Sequence, residues 1–69
     1  MTDIEILMQD GCTRSEAEKH LNRGAIIYRE SDREYYIEES VSQGFTAEEA
    51  AEDWDKMPKV DEYRIMYVL

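Results

Sequence analysis

An α+β fold is predicted for this chain: two helix–helix–strand units (α-α-β-α-α-β) with their two strands paired antiparallel in a small sheet covered by helices. Three observations carry the prediction. First, Ser or Thr stands three residues before Glu at Thr2/Glu5, Thr13/Glu16, Ser31/Glu34 and Thr46/Glu49. That is the spacing of a capping box, in which the hydroxyl accepts the N3 backbone N–H and the glutamate reaches back to the cap. Second, the stops match the starts. Gly11, Gly24 and Gly44 sit where a helix ends in a left-handed residue, and Pro58 follows the last helical stretch. Third, two runs of β-branched and aromatic residues, Ala25 to Arg29 and Tyr63 to Leu69, break the helical period and are predicted as strands.

Helices are therefore expected at about 3–10, 14–23, 32–43 and 47–57. Residues ahead of three boxes fit a hydrophobic staple, with Met1 facing Ile6, Cys12 facing Ala17 and Phe45 facing Ala50. The third helix has a buried stripe of Ile37, Ser40 and Val41. A competing reading turns residues 33–39 into a strand paired with 25–30, because Tyr35, Tyr36 and Ile37 have high β-propensity. The Ser31/Glu34 box and the Ile37/Val41 spacing favour the helix. On the fourth helix Ala47, Ala50, Ala51 and Trp54 follow i, i+3, i+4, i+7 and face the core, so Trp54 is a core residue. Sliding the chain by 33 residues aligns Ile4 with Ile37, Gly11 with Gly44, Thr13 with Thr46 and Ala17 with Ala50. The chain thus reads as an internal duplication, 1–33 and 34–69, in which neither half can bury its own apolar face.

At 69 residues and 8.2 kDa the sequence holds one domain, 1–69, with no room for a nucleotide-binding α/β sheet. A single cysteine, Cys12, excludes an intrachain disulfide and fits a reducing cytoplasm. No apolar run has membrane-spanning length, and the opening residues lack the basic and apolar regions of a secretory signal, so a cytoplasmic protein without membrane contact is expected. There is no Gly-rich phosphate loop and no Ser/His/Asp order. Cys12 occupies a staple position, where burial is the ordinary outcome, and its one candidate base, His20, stands near a helix C-terminus, where histidine is commonplace. No ligand spacing points to a metal. The expectation is a protein that is not an enzyme and takes no cofactor.

Charge is the informative feature. The chain carries 17 acidic and 8 basic side chains, a formal −9. From Glu34 to Asp55 there are eight acids and no Lys or Arg. With the alanine–tryptophan stripe turned inward, Glu48, Glu49, Glu52, Asp53 and Asp55 must lie outside. The pairs Glu48/Glu52 and Glu49/Asp53 are like charges one helical turn apart, which an isolated helix resists by a few tenths of a kcal/mol each, roughly. Solubility alone explains an acidic surface. The sharper explanation is a surface shaped for a basic partner, because neighbouring carboxylates on a helix face lie roughly 6 Å apart, a spacing of the same order as phosphates on a DNA strand. Tyr35 and Tyr36 border this stretch and cannot both be internal. Each is a candidate interface anchor for Arg or Lys, set against partial burial at the rim of a thin core.

Two resemblances follow from these residues. Leu7 to Thr13 and Val41 to Thr46 each look like the helix–Gly–Phe–helix corner of ubiquitin-associated domains, although a strand replaces that family's third helix. The whole chain, from Met1-Thr2-Asp3 to the terminal Tyr67-Val68-Leu69, resembles small acidic accessory proteins of phages and mobile elements. That group includes anti-CRISPR inhibitors, some of them DNA mimics. The resemblance implies a small inhibitor that occupies a basic nucleic-acid-binding surface of a host defence effector, binds no nucleic acid itself, and is a monomer or weak homodimer. Its expected contact residues are Glu38, Glu39, Glu48, Glu49, Glu52, Asp53 and Asp55, with Tyr35 and Tyr36. The alternative is a structural or assembly module acting through apolar pairing, with acidity serving only solubility.

Overall fold

The computed structural model describes residues 1–68, so the final position of the second predicted strand, Leu69, lies outside the described residues. Four helices form, α1 (Asp3–Gln9), α2 (Arg14–Asn22), α3 (Arg33–Ser42) and α4 (Ala47–Lys56), all within two residues of the expected bounds. Strands β1 (Ile26–Arg29), β2 (Lys59–Val60) and β3 (Tyr63–Met66) make an antiparallel sheet in the order β1-β3-β2. The class is α+β.

Local chemistry explains the helix ends. Thr2, Thr13 and Thr46 are extended N-caps whose hydroxyls accept the N3 backbone N–H at 3.1–3.2 Å. At Thr13 the box is complete, since Glu16 accepts the cap N–H at 2.9 Å; at Thr2 and Thr46 the glutamate instead accepts the cap hydroxyl at 3.0 Å. Both helical hairpins turn on the same device. The N–H of Cys12 donates to Leu7 and that of Gly11 to Met8, while Phe45 donates to Ser40 and Gly44 to Val41. This is the Schellman pattern, and it holds Gly11 at φ +104° and Gly44 at φ +106°, where a side chain would be strained.

The fourth box does not form. The Asp32 carboxylate accepts the Arg29 N–H at 3.0 Å, which folds Glu30–Asp32 into a 3₁₀ turn and leaves Asp32, not Ser31, at the start of α3. Residues 33–39 are nevertheless helical, so the competing strand is excluded. The predicted stripe on α3 is also corrected. Ile37 and Ser40 are half-buried, Val41 is exposed, and α3 has no fully buried residue among the described residues. Ala47 is exposed too, being in the first turn of α4. Met1 and Phe45 remain about half exposed (54% and 49%), so of the three staples only Cys12 and Ala17 enter a common core. Strand β2 has no counterpart in the sequence prediction. It arises because Asp61 takes φ +51° and reverses the chain between Val60 and Tyr63, a conformation Asp tolerates better than most side chains.

The sheet is a shared wall. Ile27 pairs with Ile65, and both pack with Ile6, Leu7, Ala17 and Val60 beneath α1 and α2. Side chains alternate across the pleat, so Tyr28, Arg64 and Met66 turn the other way, toward α3 and α4. There Trp54, fully buried, meets the rings of Tyr28 and Tyr36 with centroids 5.5 and 5.4 Å away, and those two rings stand edge to face at 5.5 Å. Arg64 fastens this side. Its Nε donates to Glu30, and its Nη1 donates to the Met57 carbonyl at 2.9 Å and the Asp55 carbonyl at 3.5 Å, at the C-terminus of α4, where a cation is favoured. Lys59 adds a second cation 3.9 Å from Glu30.

Two outcomes follow from this packing. Trp54→Ala is expected to cost about 3–5 kcal/mol, most of the stability such a small domain holds, and circular dichroism melts should lose their cooperative transition; a variant melting like the parent would move Trp54 out of the core. The second concerns pH. The Arg64 hydrogen bond, and then the Arg64 and Lys59 charges, hold the Glu30 carboxyl below its ordinary value of 4.5. A lowered value in the folded state means stability present above the unfolded value and lost as pH falls through the folded one. Melting temperature should therefore drop below pH 4.5, and Glu30→Gln should flatten that drop while lowering stability at neutral pH.

Candidate functional site

The α3–α4 hairpin presents the acidic residues. Its corner is set by Gly44 and the Thr46 cap, and Arg33 at the start of α3 meets Asp55 near the end of α4 at 4.0 Å. Turning Ala50 and Trp54 inward leaves Glu38, Glu39, Glu48, Glu49, Glu52, Asp53 and Asp55 exposed, every one of them. Asp55 alone among the seven has a cationic partner. The other six have no Lys or Arg nitrogen within 4.0 Å among the described residues. Glu49 is engaged differently, as acceptor of the Thr46 hydroxyl. Lys59 and Arg64 are drawn to Glu30, and Lys56, in the last turn of α4, makes no ion pair within 4.0 Å among the described residues. The negative charge of the hairpin is thus almost uncompensated.

The seven carboxylates do not converge on one spot. Asp53 and Glu39 line a groove of about 370 Å³ between the hairpin and the sheet, together with Tyr35 and Tyr36. Glu38, Glu48, Glu49, Glu52 and Asp55 lie outside it, around the solvent side of the helices. The tyrosine pair separates. Tyr35 is 61% exposed at the groove, whereas Tyr36 is half-buried against Trp54 and Tyr28. The groove also has an apolar floor of Ile26, Phe45 and Met66, which sequence reasoning did not single out. The sequence places Phe45 in a staple and Ile26 in a strand without assigning it a face. A second hollow of about 290 Å³ shares Tyr36, Asp53 and Met66 and runs on toward Met57 and Pro58. Burial raises the Tyr28 phenol above its ordinary value, with smaller contributions from Tyr36 and Tyr35.

Cys12 and His20 meet at a third residue. The Tyr67 hydroxyl donates to the Asp10 carboxylate at 2.7 Å and lies 3.6 Å from Cys12 Sγ, and its ring stands edge to face with His20 at 4.7 Å. Burial first, then the Asp10 and Cys12 hydrogen bonds, push the Tyr67 phenol well above its ordinary value, so it stays a protonated donor. Its structural effect is to tie the α1–α2 corner to the end of β3. Among the described residues no hydrogen bond joins Cys12 to His20, and no group of three His, Cys, Asp or Glu side chains is placed to hold a metal ion.

No helix of the described residues is long and apolar enough to cross a membrane. Comparison of the chain with protein-family models, with curated proteins and with solved structures gives no match.

Proposed function

We propose that this is a non-enzymatic binding protein that occupies a basic surface of another protein, a nucleic-acid-binding surface of a host defence effector, in the manner of an anti-CRISPR DNA mimic. The observation that carries this reading is the α3–α4 hairpin: six exposed carboxylates with no cationic partner among the described residues. Charges that are neither paired nor needed for the core cost the isolated protein like-charge repulsion, and a cationic partner relieves it. The mechanism is competition, with carboxylates standing where phosphates would stand and the partner's Lys and Arg satisfied by a rigid acidic face. The protein acts in the cytoplasm as a monomer or weak homodimer and does not itself bind nucleic acid, since a formal −9 repels phosphate. The equivalent turns at Gly11 and Gly44 support descent of the hairpins from one duplicated unit.

A second reading, an assembly module of a mobile element that pairs through apolar contacts, is favoured by the solvent-open Ile26, Tyr35 and Phe45 beside edge strand β1.

Replacing Glu48, Glu49, Glu52 and Asp53 together with Gln or Asn removes four charges while keeping shape. Stability should hold or rise slightly, wild-type capture of a basic protein partner should weaken as salt is raised, and capture by the variant should be lost. A stable variant that retains full binding at low and high salt would sink the mimic in favour of assembly. In a low-salt gel shift, the protein alone should leave duplex DNA unretarded; tight binding there would overturn the function outright.

A further inference from the structure

Resting on the basic-partner function proposed above, we infer that the groove between the α3–α4 hairpin and the sheet is an anchoring subsite for one arginine flanked by apolar side chains on the partner. Two properties of the groove select that occupant. Its floor is apolar and open, with Ile26 and Phe45 43% and 49% exposed, so covering it removes apolar surface from water. Its rim is acidic, with Glu39 from α3 and Asp53 from α4 on the same groove and neither ion-paired among the described residues. A purely apolar segment would strip water from two carboxylates and return nothing. An anionic ligand is repelled.

A guanidinium answers both demands. It donates in a fork to carboxylates, stacks on a tyrosine face, and carries a methylene stem that covers apolar surface. Tyr36 offers a wall fixed by its packing on Trp54 and Tyr28, and Tyr35, 61% exposed, stands free to close on the bound side chain. Lysine, a strongly hydrated point charge, matches the rim but lacks the planar face that stacks on the tyrosines and the fork that bridges two carboxylates. A second copy of this chain fits poorly, because two molecules of formal charge −9 repel one another. The anchor therefore adds a short-range, salt-resistant contact to the diffuse attraction of the outer carboxylates.

The test is an NMR titration of the labelled full chain with a blocked peptide carrying one arginine between leucines, against the same peptide with citrulline in place of arginine and against blocked tetralysine. The arginine peptide should give saturable shifts at Ile26, Tyr35, Glu39 and Phe45, and the citrulline peptide should bind more weakly. Phe45→Ser and, separately, Glu39→Gln with Asp53→Asn should each weaken it by about tenfold. These side chains are exposed, so circular dichroism should find the variants folded. Persistence of the arginine-peptide shifts in Glu48→Gln/Glu49→Gln/Glu52→Gln, with tetralysine binding lost, supports an anchor separate from the outer face. Tetralysine binding on the outer face with a silent groove overturns the anchor and leaves the basic-partner function standing. A saturating groove combined with outer charges that affect no basic probe supports the anchor and overturns the mimic. Phe45→Ser binding like the parent, or groove shifts that grow with protein concentration before peptide is added and so mark a second copy, overturn the anchor.

Discussion

Strand β3 lies between β1 and β2 and turns successive side chains to opposite faces, so both helical hairpins depend on the same four residues. Ile65 closes the aliphatic core beneath α1 and α2, while Arg64 and Met66 face α3 and α4. A one-residue slip against β1 would exchange these sets, placing a guanidinium among Ile6, Leu7 and Val60 and an isoleucine against Glu30. The pairing of Ile27 with Ile65 and the Arg64–Glu30 ion pair therefore specify the same register from two sides. With seven buried apolar side chains among the described residues, the chain has little other core with which to correct an error.

That arrangement also distributes the charge. Arg33, Lys59 and Arg64 are all drawn to the seam where β3, the 3₁₀ turn and the end of α4 meet, held by Asp55 and Glu30. Of the cations on the hairpin, Arg33 is taken by Asp55 and Lys56 makes no ion pair, and Glu38, Glu39, Glu48, Glu52 and Asp53 stay unpartnered among the described residues. The acidic face is thus a consequence of how the sheet is fastened as well as of composition. Trp54 and Tyr36 keep the two helices at a fixed separation, which makes the carboxylates a rigid array and not a mobile tail.

The sequence-based errors share a cause. Ser31/Glu34 matches the capping spacing, yet the Asp32 carboxylate accepts the Arg29 N–H three residues back, which curls Glu30–Asp32 into a 3₁₀ turn and starts α3 after Asp32. Val41 belongs to the right helical period, but α3 leans on Trp54 and Tyr28 through Tyr36, which rotates the buried arc away from Val41. Strand β2 carries no glycine or asparagine at its turn, and its two residues are held as a strand only by Tyr63 and Arg64 across from them.

Short-range chemistry was legible in the residues themselves: four helices, the threonine caps of three of them, the glycine stops, the inward Trp54 and the eight-acid stretch. Each depends on groups within a turn or two, where spacing in sequence equals neighbourhood in space. The groove was not legible. Ile26, Tyr35, Phe45, Asp53 and Met66 come from two strands, two helices and a corner, and only the docking of the hairpin on the far side of β3 brings them together. The same docking decided which tyrosine is a wall and which is free, because Tyr35 and Tyr36 are adjacent in sequence and a helix turns adjacent residues about 100° apart, leaving the third dimension to choose the one that meets Trp54.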